Sequence, residues 1–113
     1  MVRQIPLTVH SRDLLEHRDE VLAEAKRCDL TNVRVFGSIA RGDANETSDI
    51  DLLVSVVPNS KLGFEMYGLP VFVEKLTGRK VDMLFDDQLE PKDGELPSQA
   101  TVRASILEDA IPL

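Results

Sequence analysis

A chain of 113 residues is the size of one domain, since single cores usually run to roughly 100 to 200 residues, and residues 1–113 are read as one. Its 42% apolar and 29% charged residues are a globular composition, and no apolar run approaches the roughly 18 residues of a membrane span, which excludes a membrane-embedded chain. Twenty acidic against thirteen basic residues give a net charge of −7, which repels nucleic-acid backbones, excludes stable direct nucleic-acid binding, and suits a metal ion or a basic protein partner.

Met1 to Pro6 has no apolar core of the secretory kind and Cys28 stands alone, so a reducing cytoplasm is the expected compartment. From Ser11 to Cys28 the residues Leu14, Leu15, Val21, Leu22, Ala25 and Cys28 recur at helical spacing, with Ser11 placed as N-cap. Val33 to Phe36 is a short strand ending at Gly37, Ile39 to Arg41 one helical turn, and Gly42 to Ser48 a loop. Asp49 to Val56 is the best-defined strand. Leu62 to Leu76 has helical spacing again, split or kinked by Gly68 and Pro70. Lys80 to Phe85 alternates as a third strand, Asp86 to Pro97 is an acidic surface loop, and Ser98 to Ala110 a last helix, with Val102, Ile106 and Ala110 on one face, stopped by Pro112. This order predicts an α/β (α+β) domain with a single small mixed sheet and helices mainly on one face.

Strand geometry singles out three carboxylates. Residues two apart share a face, so Asp49 and Asp51 point one way while Ile50, Leu52 and Val54 point the other. On the third strand Val81, Met83 and Phe85 are the apolar face, which leaves Asp82 opposite to them. If the two strands are neighbours, three like charges converge, a costly arrangement unless a cation offsets it, and hard oxygen ligands suit Mg²⁺ or Mn²⁺. Gly37-Ser38 follows a strand and opens a helical turn, where free N–H groups, close approach at glycine and the serine hydroxyl favour phosphate. Carboxylates beside a phosphate cradle indicate nucleotide chemistry.

These motifs carry a resemblance. Gly37-Ser38, ten residues, then Asp49-Ile50-Asp51, with a later Asp82 in Lys80-Val81-Asp82-Met83, resembles the nucleotidyltransferase superfamily typified by DNA polymerase β and kanamycin nucleotidyltransferase. The stretch from Phe36 to Asp43, running on to Ser48-Asp49-Ile50-Asp51-Leu52, resembles its minimal branch, the MNT proteins encoded beside HEPN-domain partners. The resemblance implies a polymerase β-like nucleotidyltransferase fold with ATP as substrate and two Mg²⁺ ions, Mn²⁺ being an alternative. It implies that Asp49 and Asp51 hold the metals bridging the nucleotide phosphates, that Asp82 serves the catalytic metal and helps deprotonate the attacking hydroxyl, and that Gly37 and Ser38 bind the triphosphate. Arg41, one turn further on, is added as a phosphate contact.

Three functions compete at this point. One is an antitoxin that transfers AMP from ATP to a hydroxyl, a tyrosine of a partner HEPN toxin, releasing pyrophosphate. A second is an antitoxin that neutralises the toxin by contact alone, and a third a small-molecule nucleotidyltransferase subunit. The intact carboxylate set favours an enzyme. The remaining candidates have simpler readings: His10 and His17 as surface residues, Cys28 as a small buried residue, Arg79 and Lys80 as local charge balance, and Phe64, Met66, Tyr67 and Phe72 as core or interface.

Overall fold

The computed structural model describes residues 3–113, and its centre is a four-stranded sheet in the order β3-β2-β1-β4. The strands are β1 (Leu30–Phe36), β2 (Ile50–Val56), β3 (Val81–Phe85) and β4 (Ile111–Pro112). β1 runs antiparallel to both β2 and β4, whereas β2 and β3 are parallel, so the sheet is mixed. A parallel pair needs a crossover, here supplied by a 3₁₀ turn (Phe64–Tyr67) leading into α4 (Gly68–Thr77). The other helices are α1 (Arg12–Glu16), α2 (Arg18–Arg27), α3 (Gly37–Arg41) and α5 (Pro97–Asp109).

Alternation sorts the strand residues into two faces. Val35, Ile50, Leu52 and Val54 are fully buried against Leu14 of α1, Val21 and Ala25 of α2, and Leu69 and Val73 of α4. Burial of each such side chain contributes about 1.5–3 kcal/mol, which is what seats these three helices on one face. The opposite face carries Asp51 and Asp82, and beyond them Leu53 and Leu84, which are paired across β2 and β3. Leu53 is fully buried yet lies outside the main cluster. α5, whose residues line a cleft with Leu84, is the cover on this side; none of its own residues is fully buried.

The first helical stretch is two helices, bent at His17, whose N–H still reaches Asp13 O so that Leu14 and Val21 enter the same core. Ser11 does not cap α1 through its side chain. Its buried hydroxyl donates to Pro6 O at 2.6 Å and accepts from Thr8 N–H at 2.9 Å, tying the turn before the helix. β1 starts three residues earlier than alternation implies, because a bulge between Thr31 and Arg34, with Asn32 at positive φ, interrupts the pattern. β4 lies where the sequence suggests only a stop. The acidic stretch after β3 begins with a 3₁₀ turn at Asp86–Leu89. The aromatic group divides: Met66 and Phe72 pack on the core, while Phe64 is 92% exposed and Tyr67 meets Phe85 edge-on at 5.9 Å.

Candidate active site

The site is assembled at one end of three adjacent strands. Asp51 on β2 stands opposite Phe36 on β1 and directly beside Asp82 on β3. Asp49 immediately precedes β2, anchored by the neighbouring Ile50 N–H, which donates to Lys80 O at 2.9 Å. The alternation that buries Ile50 and Leu52 leaves the Asp51 carboxylate half-buried on the other face, where dehydration and the nearby Asp82 and Asp49 push its pKa up to about 6, with Arg41 pulling the other way.

Gly37 sets the approach from β1. It has φ +72°, a region that L side chains avoid, and a Cβ built there would lie 2.4 Å from Asp51 Oδ2. The backbone of the turn is therefore pressed against the carboxylate, and only glycine permits both the dihedral and the contact. Ser38 follows, partly exposed, its hydroxyl without a protein partner among the described residues. Buried Ile39 and Ala40 pin α3 to the sheet, and Gly42 closes it as Gly42 N–H and Asp43 N–H both donate to Ser38 O. The first N–H groups of this short helix have no acceptor within it.

Two cations that looked like local charge balance take defined places. Lys80 Nζ stands 4.0 Å from Asp49 Oδ2 and 3.9 Å from Asp82 Oδ1, bridging the carboxylates that flank Asp51. Arg79 donates to Asn45 O at 2.9 Å and Ser48 O at 3.1 Å and also meets His10 Nδ1, so it fastens the loop that delivers Asp49. Removing this fork in Arg79→Ala is expected to raise hydrogen exchange at the Ser48 and Ile50 amides about tenfold or more, given roughly 1–1.5 kcal/mol per lost bond, while β1–β2 protection persists. Exchange unchanged at those amides would show that the loop is held elsewhere.

Arg41 is placed differently from expectation. Its guanidinium is engaged by Asp109 Oδ2 at 2.7 Å and Asp43 Oδ2 at 3.3 Å, linking α3 to the end of α5. Of the singled-out residues, the structure brings Gly37, Ser38, Asp49, Asp51 and Asp82 together; His17 lies apart, bonded to Glu20, and Cys28 is buried at the end of α2.

The carboxylates fit a hard divalent cation in donor chemistry and in charge. They do not form a ready cage, for no group of three or more His, Cys, Asp or Glu among the described residues is placed to hold a metal ion. That is compatible with Mg²⁺, which usually takes one or two carboxylates and fills the rest of its shell with water and substrate phosphates.

Comparison with known proteins points the same way. The profile of a family described as nucleotidyltransferase domain matches residues 14–112. The protein adenylyltransferase MntA of Thermococcus cleftensis is 32% identical over 84 residues, 74% of this chain and 74% of its own. A Methanocaldococcus jannaschii protein, provisionally named a protein adenylyltransferase, is 32% identical over 74 residues, 65% of this chain and 72% of its own. A solved structure, provisionally described as a minimal nucleotidyltransferase, superposes with a TM-score of 0.71 at 34% identity, covering 96% of this chain and all of that one. No helix of the described residues is long and apolar enough to cross a membrane.

Proposed function

The chain belongs to the nucleotidyltransferase domain family, and from that premise we propose that it is a protein adenylyltransferase of the antitoxin type, moving AMP from ATP to a tyrosine hydroxyl of a HEPN-family toxin. The observation that carries this reading is the Asp51–Asp82 pair across β2 and β3, with the Gly37 backbone pressed against Asp51. The relatives named as protein adenylyltransferases support the choice of a protein acceptor.

In this reading the Gly37-Ser38 turn holds the triphosphate through backbone N–H groups and the free Ser38 hydroxyl. Asp49, Asp51 and Asp82 would hold two Mg²⁺ ions, which supply activation of the hydroxyl and neutralisation of the leaving phosphates. Asp82, on the outer strand, takes up the proton of the acceptor hydroxyl or passes it to water. The acceptor oxygen forms a bond to the α-phosphorus as the bond to the β-phosphate oxygen breaks, giving the AMP ester, pyrophosphate and one proton. Lys80, at the rim with 69% of its side chain exposed, is free to leave the carboxylates for a phosphate when they are otherwise neutralised. Arg41 contributes to phosphate binding only by giving up Asp109 or Asp43.

The test incubates the chain with labelled ATP, Mg²⁺ and the product of the adjacent gene, then weighs the partner. A gain of one or more AMP units is expected; neutralisation of the partner without any mass gain would instead favour an antitoxin acting by contact. The same site predicts metal-dependent nucleotide affinity, because ATP alone meets uncompensated carboxylates. Calorimetry is expected to show at least about tenfold weaker ATP binding in EDTA than in Mg²⁺, about 1.4 kcal/mol, and equal affinity would remove the metal bridge.

A further inference from the structure

The sheet order gives the reaction a direction. The phosphate turn lies at the end of β1, Asp51 on β2 in the middle, and Asp82 on β3 at the edge. In phosphoryl transfer the attacking and leaving oxygens are roughly in line, so with the leaving phosphates on the β1 side the acceptor must arrive from the β3 side. On that side the structure has a cleft of about 390 Å³, lined among others by Leu84, Gln88, Gln99, Val102, Arg103 and Ile106. Leu84 is two residues beyond Asp82, on the same face of β3 and about 6.6 Å further along the strand.

We propose that this cleft between β3, the 86–95 turn and α5 is the acceptor subsite, and that it takes a basic peptide segment carrying the hydroxyl to be modified. This inference rests on the nucleotidyl-transfer reading. Three features of the lining select such an occupant. Leu84, Val102 and Ile106 offer an apolar wall for the body of a side chain. Gln88 Oε1 accepts from Phe85 N–H at 2.9 Å and Gln99 Oε1 from Leu96 N–H at 2.8 Å, which orients both amides and leaves their NH₂ groups as donors for peptide carbonyls. In the bounding segment 86–95, Asp86 is paired to Arg34 and Glu95 to Arg103, whereas Asp87, Glu90 and Asp93 have no ion-pair partner among the described residues and outnumber Lys92, a rim that attracts positive charge. Arg103, paired to Glu95, braces the wall between turn and helix.

The experiment follows backbone amide shifts of the labelled chain. One titration adds the peptide Lys-Lys-Tyr-Lys-Lys at millimolar concentration, one the peptide Glu-Glu-Tyr-Glu-Glu, and one ATP with Mg²⁺. The basic peptide is expected to shift residues 84 and 88–106, the acidic peptide is not, and ATP is expected to act at Gly37, Ser38 and Asp51. Val102→Trp fills the cleft at a residue 58% exposed, so the fold tolerates it. It is expected to weaken the basic peptide about tenfold or more, the scale of one buried contact. ATP shifts centred on the cleft would make it a base site, and concentration-dependent shifts there without peptide would make it a self-association face; either overturns the proposal. So would cleft residues unmoved by the basic peptide, and in that case ATP shifts at the Gly37 turn would leave the nucleotidyl-transfer reading standing.

Discussion

Asp51→Asn is expected to stabilise the metal-free chain while abolishing transfer. The folded carboxyl titrates at about 6 against an ordinary value of 3.8, first because it is partly withdrawn from water and then because Asp82 and Asp49 face it. Below pH 4 the group is protonated in both folded and unfolded chains and costs nothing. Between about pH 4 and 6 the folded chain keeps a proton that the unfolded chain releases, so wild-type stability falls as pH rises through that window, and the full cost is present at pH 7. Asparagine escapes it. Allowing for solvent screening at a half-exposed site, the gain at pH 7 is about 1–2 kcal/mol, several degrees in Tm, and the slope between pH 4 and 6 flattens. Transfer should fall about 10³-fold or more, because stabilisation of the hydroxyl and leaving phosphates supplies several kcal/mol of barrier lowering. Thermal melts across pH and a mass assay of the partner decide it; a variant less stable than wild type at pH 7, or one that transfers AMP at close to the wild-type rate, defeats the account.

Gly37→Ala has the next largest expected effect. Its methyl group meets Asp51 Oδ2 at 2.4 Å, well inside contact distance, and the residue must also keep φ near +72°. The positive φ costs about 1–2 kcal/mol, and the carboxylate or the turn must give way by more than half an ångström. Since a misplacement of about 1 Å at reacting groups can cost about 10²-fold, transfer is expected to fall by about that factor, with a Tm lowered by a few degrees and a folded spectrum. Ser38→Ala, which removes one hydroxyl donor and adds no clash, should fall less. Near-wild-type transfer in folded Gly37→Ala would detach the turn from the chemistry.

The parts legible in the sequence are those set by short-range periodicity. Two-residue alternation in Ile50–Val54 and Val81–Phe85 fixes which way Asp51 and Asp82 face, and glycine followed by serine after a strand marks the turn. What escaped depends on contacts between distant residues. Arg79 reaches Asn45 and Lys80 reaches Asp49, each about thirty residues away, and long flexible side chains give no pattern that announces a target. Arg41 has the reach for phosphate, but α5 brings Asp109 to it from 68 residues away. Ser11 obeys the capping rule in sequence, yet Pro6 and Thr8 fold back and claim its hydroxyl. α5 carries apolar residues at helical spacing, but Val102 is left exposed because the helix stands over a cleft instead of a filled core.

β4 bears on how the sheet avoids adding strands. Ile111 pairs with Val35, and Leu113 N–H donates to Val33 O at 2.9 Å, so amides of alternate residues point inward and position 112 points away from the sheet. Proline at 112 therefore costs no bond to β1. It removes the N–H that would otherwise face outward, so a strand from another chain arriving at this edge finds no donor there, and edge-to-edge aggregation on that side loses a bond it would need.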